Sequence, residues 1–79
     1  GRVWRRGDVG IEVQQLQYFL SVIAQTYTNI PPVDIDSRFG AGLERSVRAF
    51  QREFGLAQDG LVGQVTWNTI YETYIALTQ

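Results

Sequence analysis

One amphipathic segment is written twice in this chain. Val13, Leu16, Gln17 and Leu20 return as Val47, Phe50, Gln51 and Phe54, each 34 residues on (13 to 47), and that spacing places the apolar members on one face of an α-helix. The first copy predicts a helix over residues 11–27. Val13, Leu16, Leu20, Ile23, Ala24 and Tyr27 form its apolar side, Gly10 is its N-cap, and Glu12 sits near the positive end of the helix dipole. The second copy predicts a helix over 41–54 through Leu43, Val47, Phe50 and Phe54, closed by Gly55 in the left-handed position that follows many helices. Glu44 and Arg48 stand there in the favourable order for an i, i+4 ion pair, and with Arg45, Arg52 and Glu53 they read as a solvated face. A third helix over 64–77 carries Trp67, Ile70, Tyr74 and Leu77 at helical spacing, with Thr66 placed to cap backbone donors near Gly63.

Between these helices the chain cannot continue regular structure. Thr26, Thr28 and Asn29 weaken the first helix and Pro31-Pro32 end it. The pieces at 33–39 and 56–62 alternate over too few residues for a sheet, so they read as connectors with at most local pairing. The expected fold is all-α: a small three-helix bundle with an internal pseudo-repeat and short irregular connectors.

The 79 residues suit a single domain spanning 1–79. Cysteine and histidine are both absent, so no disulfide or thiolate site can brace so short a chain, and stability rests on packing. A hydrophobic share of 44% supplies the means. The same absences, together with that of lysine, exclude a Ser-His-Asp constellation, a thiol nucleophile and a Schiff base. Asp8, Asp34, Asp36 and Asp59 all fall in turn-like segments, where backbone bonding explains them better than a glycosidase pair or a calcium site. No catalytic residue, metal or cofactor is therefore expected. A formal charge of −1 gives no footprint for nucleic acid or an anionic membrane, and Glu44 and Glu53 interrupt the arginines that a DNA-binding helix would need. No apolar run approaches the roughly 18 residues that span a bilayer. Methionine is absent as well, so the chain is expected to be a piece of a longer protein, with any targeting signal outside it.

A second echo links the turns. Asp36, Phe39 and Gly40 match Asp59, Val62 and Gly63 at an offset of 23 residues (36 to 59). In each an Asp can hold an Asx turn, an apolar residue can plug the core, and a glycine opens the next helix. Arg6-Gly7-Asp8-Val9-Gly10, Val13 with Leu16-Gln17, Val47-Arg48-Ala49-Phe50-Gln51, Asp59-Gly60-Leu61-Val62-Gly63 and Thr66-Trp67 together resemble the type 1 peptidoglycan-binding domain family, nearly end to end. The resemblance implies a non-catalytic three-helix module of a bacterial cell-wall hydrolase, amidase or spore-cortex enzyme. It would be an extracellular monomer in the wall or spore envelope, holding an attached catalytic domain against peptidoglycan. The chain departs from the family in having Ile11, Ala41 and Gln64 where Pro is common, Ser37 where Gly is common, Leu43 where Thr is common, and a longer Pro-Pro connector.

Peptidoglycan offers sugar faces for aromatic rings and stem carboxylates for Arg forks and helix N-termini. Arg38, just before the second helix, and Gln64, Trp67 and Tyr71, in the first two turns of the third, form the candidate binding groove. Tyr71 is the surface member, whereas Trp67 and Phe39 fit packing positions. Gln17 and Gln51 are expected to hydrogen-bond loop backbone rather than ligand. A protein-interaction or prodomain-like module is the alternative reading.

Overall fold

Each helix begins on the residue after a glycine. The computed structural model describes residues 1–79 and contains α1 (Ile11–Thr26), α2 (Ala41–Glu53) and α3 (Gln64–Thr78), with Gly10, Gly40 and Gly63 as N-caps. No side chain caps these starts. Thr66 does not serve as the expected cap. Its hydroxyl accepts from Gln51 Nε2 at 3.3 Å, while α3 opens with Trp67 N–H donating to Gly63 O at 2.9 Å. At the end of α2, Gly55 takes φ +70 and Leu56 N–H reaches back to Gln51 O at 2.7 Å, the Schellman arrangement that satisfies a last-turn carbonyl.

The core joins elements and connectors. Val13, Leu16, Leu20 and Ile23 come from α1, Leu43, Val47 and Phe50 from α2, and Ile70 from α3. Ile30, Phe39 and Val62 enter from the connectors. Burying each such side chain is worth about 1.5–3 kcal/mol, which lets a chain without covalent staples hold together. The third helix departs from its expected stripe: Ile70 is sealed, Trp67 and Tyr74 are half-buried, and Leu77 is exposed in the last turn.

The two extended pieces pair with the N-terminal arm instead of with one another. Trp4 exchanges two backbone hydrogen bonds with Val62, at 3.0 and 2.8 Å. Gly7 N–H donates to Phe39 O and Phe39 N–H to Asp8 O, both at 2.8 Å. The arm therefore ties both turns to one edge of the bundle. It also redirects Glu44, which pairs with Arg6 at 3.6 Å rather than with Arg48 as expected. No helix is long and apolar enough to cross a membrane.

Candidate functional site

Two buried glutamines hold the turns that lead into α2 and α3. Gln17 lies inside α1, 2% exposed, and uses its whole amide on the turn ahead of α2. Its Nε2 donates to Asp36 Oδ1 at 2.8 Å and Arg38 O at 2.9 Å, and its Oε1 accepts from Asp36 N–H at 3.0 Å and Ser37 N–H at 2.9 Å. Gln51 repeats the device in α2. Its Nε2 donates to Asp59 Oδ1 and Leu61 O, both at 3.0 Å, and its Oε1 accepts from Gly60 N–H at 3.0 Å. In each turn the Asp also accepts a backbone N–H two residues on, from Arg38 or Leu61, at 3.0 Å. These are the expected Asx turns, and the glutamines do bond loop backbone. The Gln17 amide, followed by the Arg38 N–H, holds the Asp36 carboxyl below its ordinary range. The Leu61 N–H does the same for Asp59, with the Gln51 amide adding to it against partial desolvation.

Arg38 is thus fixed by its backbone while its guanidinium remains exposed. It lines a cleft of about 360 Å³ between the first turn and the start of α2, with Pro32, Asp34, Asp36 and Arg45. The other candidates stand elsewhere, along α3. Trp67 stacks on Trp4 with ring centroids 5.0 Å apart, and Phe19 meets Trp67 edge-on at 6.4 Å and Tyr71 at 5.7 Å. Tyr74 continues the row against Phe19 at 4.6 Å and Tyr18 at 5.6 Å. Gln64, exposed at the head of α3, donates to Asn68 Oδ1 at 3.0 Å. Trp67 and Tyr71 therefore share one aromatic face, Gln64 begins the same helix, and Arg38 lines a separate cleft.

That face includes residues the sequence reading passed over. Trp4 lies outside every helix, so periodicity does not flag it. Tyr18 and Phe19 lie beside the apolar stripe of α1 and look like ordinary flank. The aromatic spacing at i, i+4 and i+7 of α3 (67, 71 and 74) was the available signal, and it marks only that helix's side of the row. Tyr18 and Tyr71 are each 47% exposed, so the row presents ring surface outward while its base packs on the core.

The helices are launched from clasped turns, and α1 and α3 together carry a half-exposed aromatic row. The model of the family Putative peptidoglycan binding domain matches residues 9–70, and the chain belongs to that family. It is 36% identical over 66 residues to the zinc D-Ala-D-Ala carboxypeptidase of Streptomyces albus G, a match covering 84% of this chain and 25% of that protein. The chain thus spans about a quarter of that relative's length. Among solved structures it resembles the SleB N-terminal domain, with a TM-score of 0.78, 33% identity and coverage of 92% of this chain and 93% of that one. It likewise resembles a peptidoglycan-binding protein from Clostridioides difficile, solved in complex with glutamine hydroxamate. That match has a TM-score of 0.78, 35% identity and coverage of 87% of this chain and 40% of that one.

Proposed function

We propose that this domain anchors an attached wall-processing enzyme to peptidoglycan and performs no chemistry of its own. The parent would be a cell-wall hydrolase or spore-wall enzyme acting outside the bacterial cell, in the wall or spore envelope, with residues 1–79 forming one monomeric domain of it. The similarity to a carboxypeptidase of which the match covers only 25% supports a separate catalytic partner. The absence of His, Cys and Lys supports a non-catalytic role.

The observation that carries the binding reading is the aromatic row on α1 and α3. Apolar sugar faces stack on exposed rings, and Tyr71 offers the most accessible ring next to Trp67. Gln64 adds amide donors and acceptors at one end of the row, while Arg38 offers a cation in its own cleft apart from the rings. Cosedimentation with purified sacculi tests it. The domain is expected to pellet, and Tyr71→Ala to lower the pelleted fraction about threefold or more at unchanged helix content. A wild-type domain that stays in the supernatant while a known binder pellets overturns the proposal. Exposed Val9, Ile11 and Ile35 favour the second reading, docking on another part of the same protein. Protection of those residues from hydrogen exchange in the parent protein but not in the isolated domain would support it.

A further inference from the structure

Three of the seven arginines, Arg45, Arg48 and Arg52, project from one side of α2. Their spacing spreads the charges over about 10 Å along the helix. Opposite them stand Asn29 and Pro31 from the long α1–α2 connector, and Gln58 closes one end, giving an open groove of about 800 Å³. The connector that builds the second wall is the segment that lengthens the first half of the repeat: Gln17 reaches forward 19 residues to Asp36, Gln51 only 8 to Asp59.

No ion pair within the chain neutralises the groove's arginines. Glu44, the expected partner of Arg48, is occupied by Arg6, which is the chain's one ion pair. Arg48 is held in place by donating to Gln58 O at 2.7 Å and by lying across Gly60, leaving most of its guanidinium donors free. The guanidinium groups of Arg45 and Arg52 make no hydrogen bond or ion pair within the chain. One acid, Glu53, lines the groove, and no guanidinium stands within ion-pair distance of it.

We infer that this groove binds a short peptide carrying several carboxylates and a side-chain amine, the chemistry of a peptidoglycan stem rather than of its glycan. The arginines take the carboxylates as forks, Glu53 takes the amine, and Asn29 and Gln58 offer amides to the peptide backbone. A plain polyanion, such as a phosphodiester polymer, would meet repulsion from Glu53. The wall-polymer reading supplies only the source of the ligand; the groove's charge pattern stands apart from it and from the aromatic row.

The test is an NMR titration of the isolated 79-residue chain with an N-acetylated synthetic tripeptide bearing three carboxylates and one side-chain amine. Its carboxylate-amidated form and oligo(glycerol phosphate) serve as comparison probes. The tripeptide should shift the Arg45, Arg48 and Arg52 side-chain resonances and the amides of Asn29 and Gln58. Binding should weaken as salt rises, because the charges are exposed. The double variant Arg45→Gln, Arg52→Gln should weaken it about tenfold at unchanged helix content. Glu53→Gln should weaken the tripeptide and strengthen oligo(glycerol phosphate). Equal binding of the tripeptide and its amidated form, tighter binding of the phosphate polymer by the wild type, or tightening of the tripeptide by Glu53→Gln each overturn the inference. Pelleting with sacculi while the tripeptide fails would remove this groove alone. Tripeptide binding without pelleting would remove the anchoring proposal alone.

Discussion

The two glutamine clasps hold the same kind of turn at very different loop lengths. In the second half Gln51 grips a turn eight to ten residues on, around Gly60, a buried glycine at φ +73. A Cβ there would come within 3.1 Å of Arg48 Nε and Glu44 Cγ. In the first half Gln17 grips a turn reached through the long Pro-Pro connector, and the equivalent backbone position is Ser37 at φ +66. The same side-chain device thus serves a tight structural lock and a longer, more exposed platform. A buried amide can specify a turn independently of the length of chain that leads to it, leaving the connector free to build other surface.

Truncation of the clasps tests that distinction most severely. Gln51→Ala should cost about 3 kcal/mol in chemical denaturation, because it strands enclosed partners that include Gly60 N–H and the Thr66 hydroxyl. Gln17→Ala should cost less, about 2 kcal/mol, since water can reach the Asp36 side of its turn. Equal losses would erase the difference between lock and platform. Gly60→Ala is next, destabilising by about 1–2 kcal/mol through left-handed strain. Its mirror is Ser37→Gly, which should raise stability by about 0.5 kcal/mol and the midpoint of thermal unfolding by a few degrees. A loss of stability there would show that Ser37 is better placed than its backbone suggests.

The smallest effect is the acid response. Asp36 and Asp59 both have folded pKa values held below the ordinary 3.8. Their contribution is complete above the unfolded value of about 3.9 and is lost as pH falls from about 4 through the depressed folded values. Asp36→Asn and Asp59→Asn should each flatten stability against pH in that acid range, measured by unfolding at stepped pH. Unchanged slopes would mean that the turns are held by the glutamines without the carboxylate charge.

Periodicity was enough to read the helices. The apolar stripes placed α1, α2 and α3 within one residue at each end, because the glycines before them and Gly55 after α2 mark the boundaries chemically. The role of Gln17 and Gln51 was also legible, since a polar residue inside a repeated apolar stripe must find partners when buried. Trp4, Tyr18 and Phe19 were not legible as a unit. Their meeting with Trp67 and Tyr74 depends on how α1 packs against α3 and on an arm without periodicity of its own. The Glu44–Arg48 expectation failed for the same reason: local spacing permits the pair, but the arm brings Arg6 to Glu44.

By itself the sequence determined which segments are helical, which faces are apolar and which amides clasp the turns. Those are consequences of short-range spacing and of the cost of burying an unpaired polar group. Only the tertiary structure decided that the aromatic rings form one row, that Arg38 lines a different cleft, and that three arginines face a wall made by the long connector. Such neighbours come from distant parts of the chain, and helix spacing fixes the direction of a side chain without fixing what lies across from it.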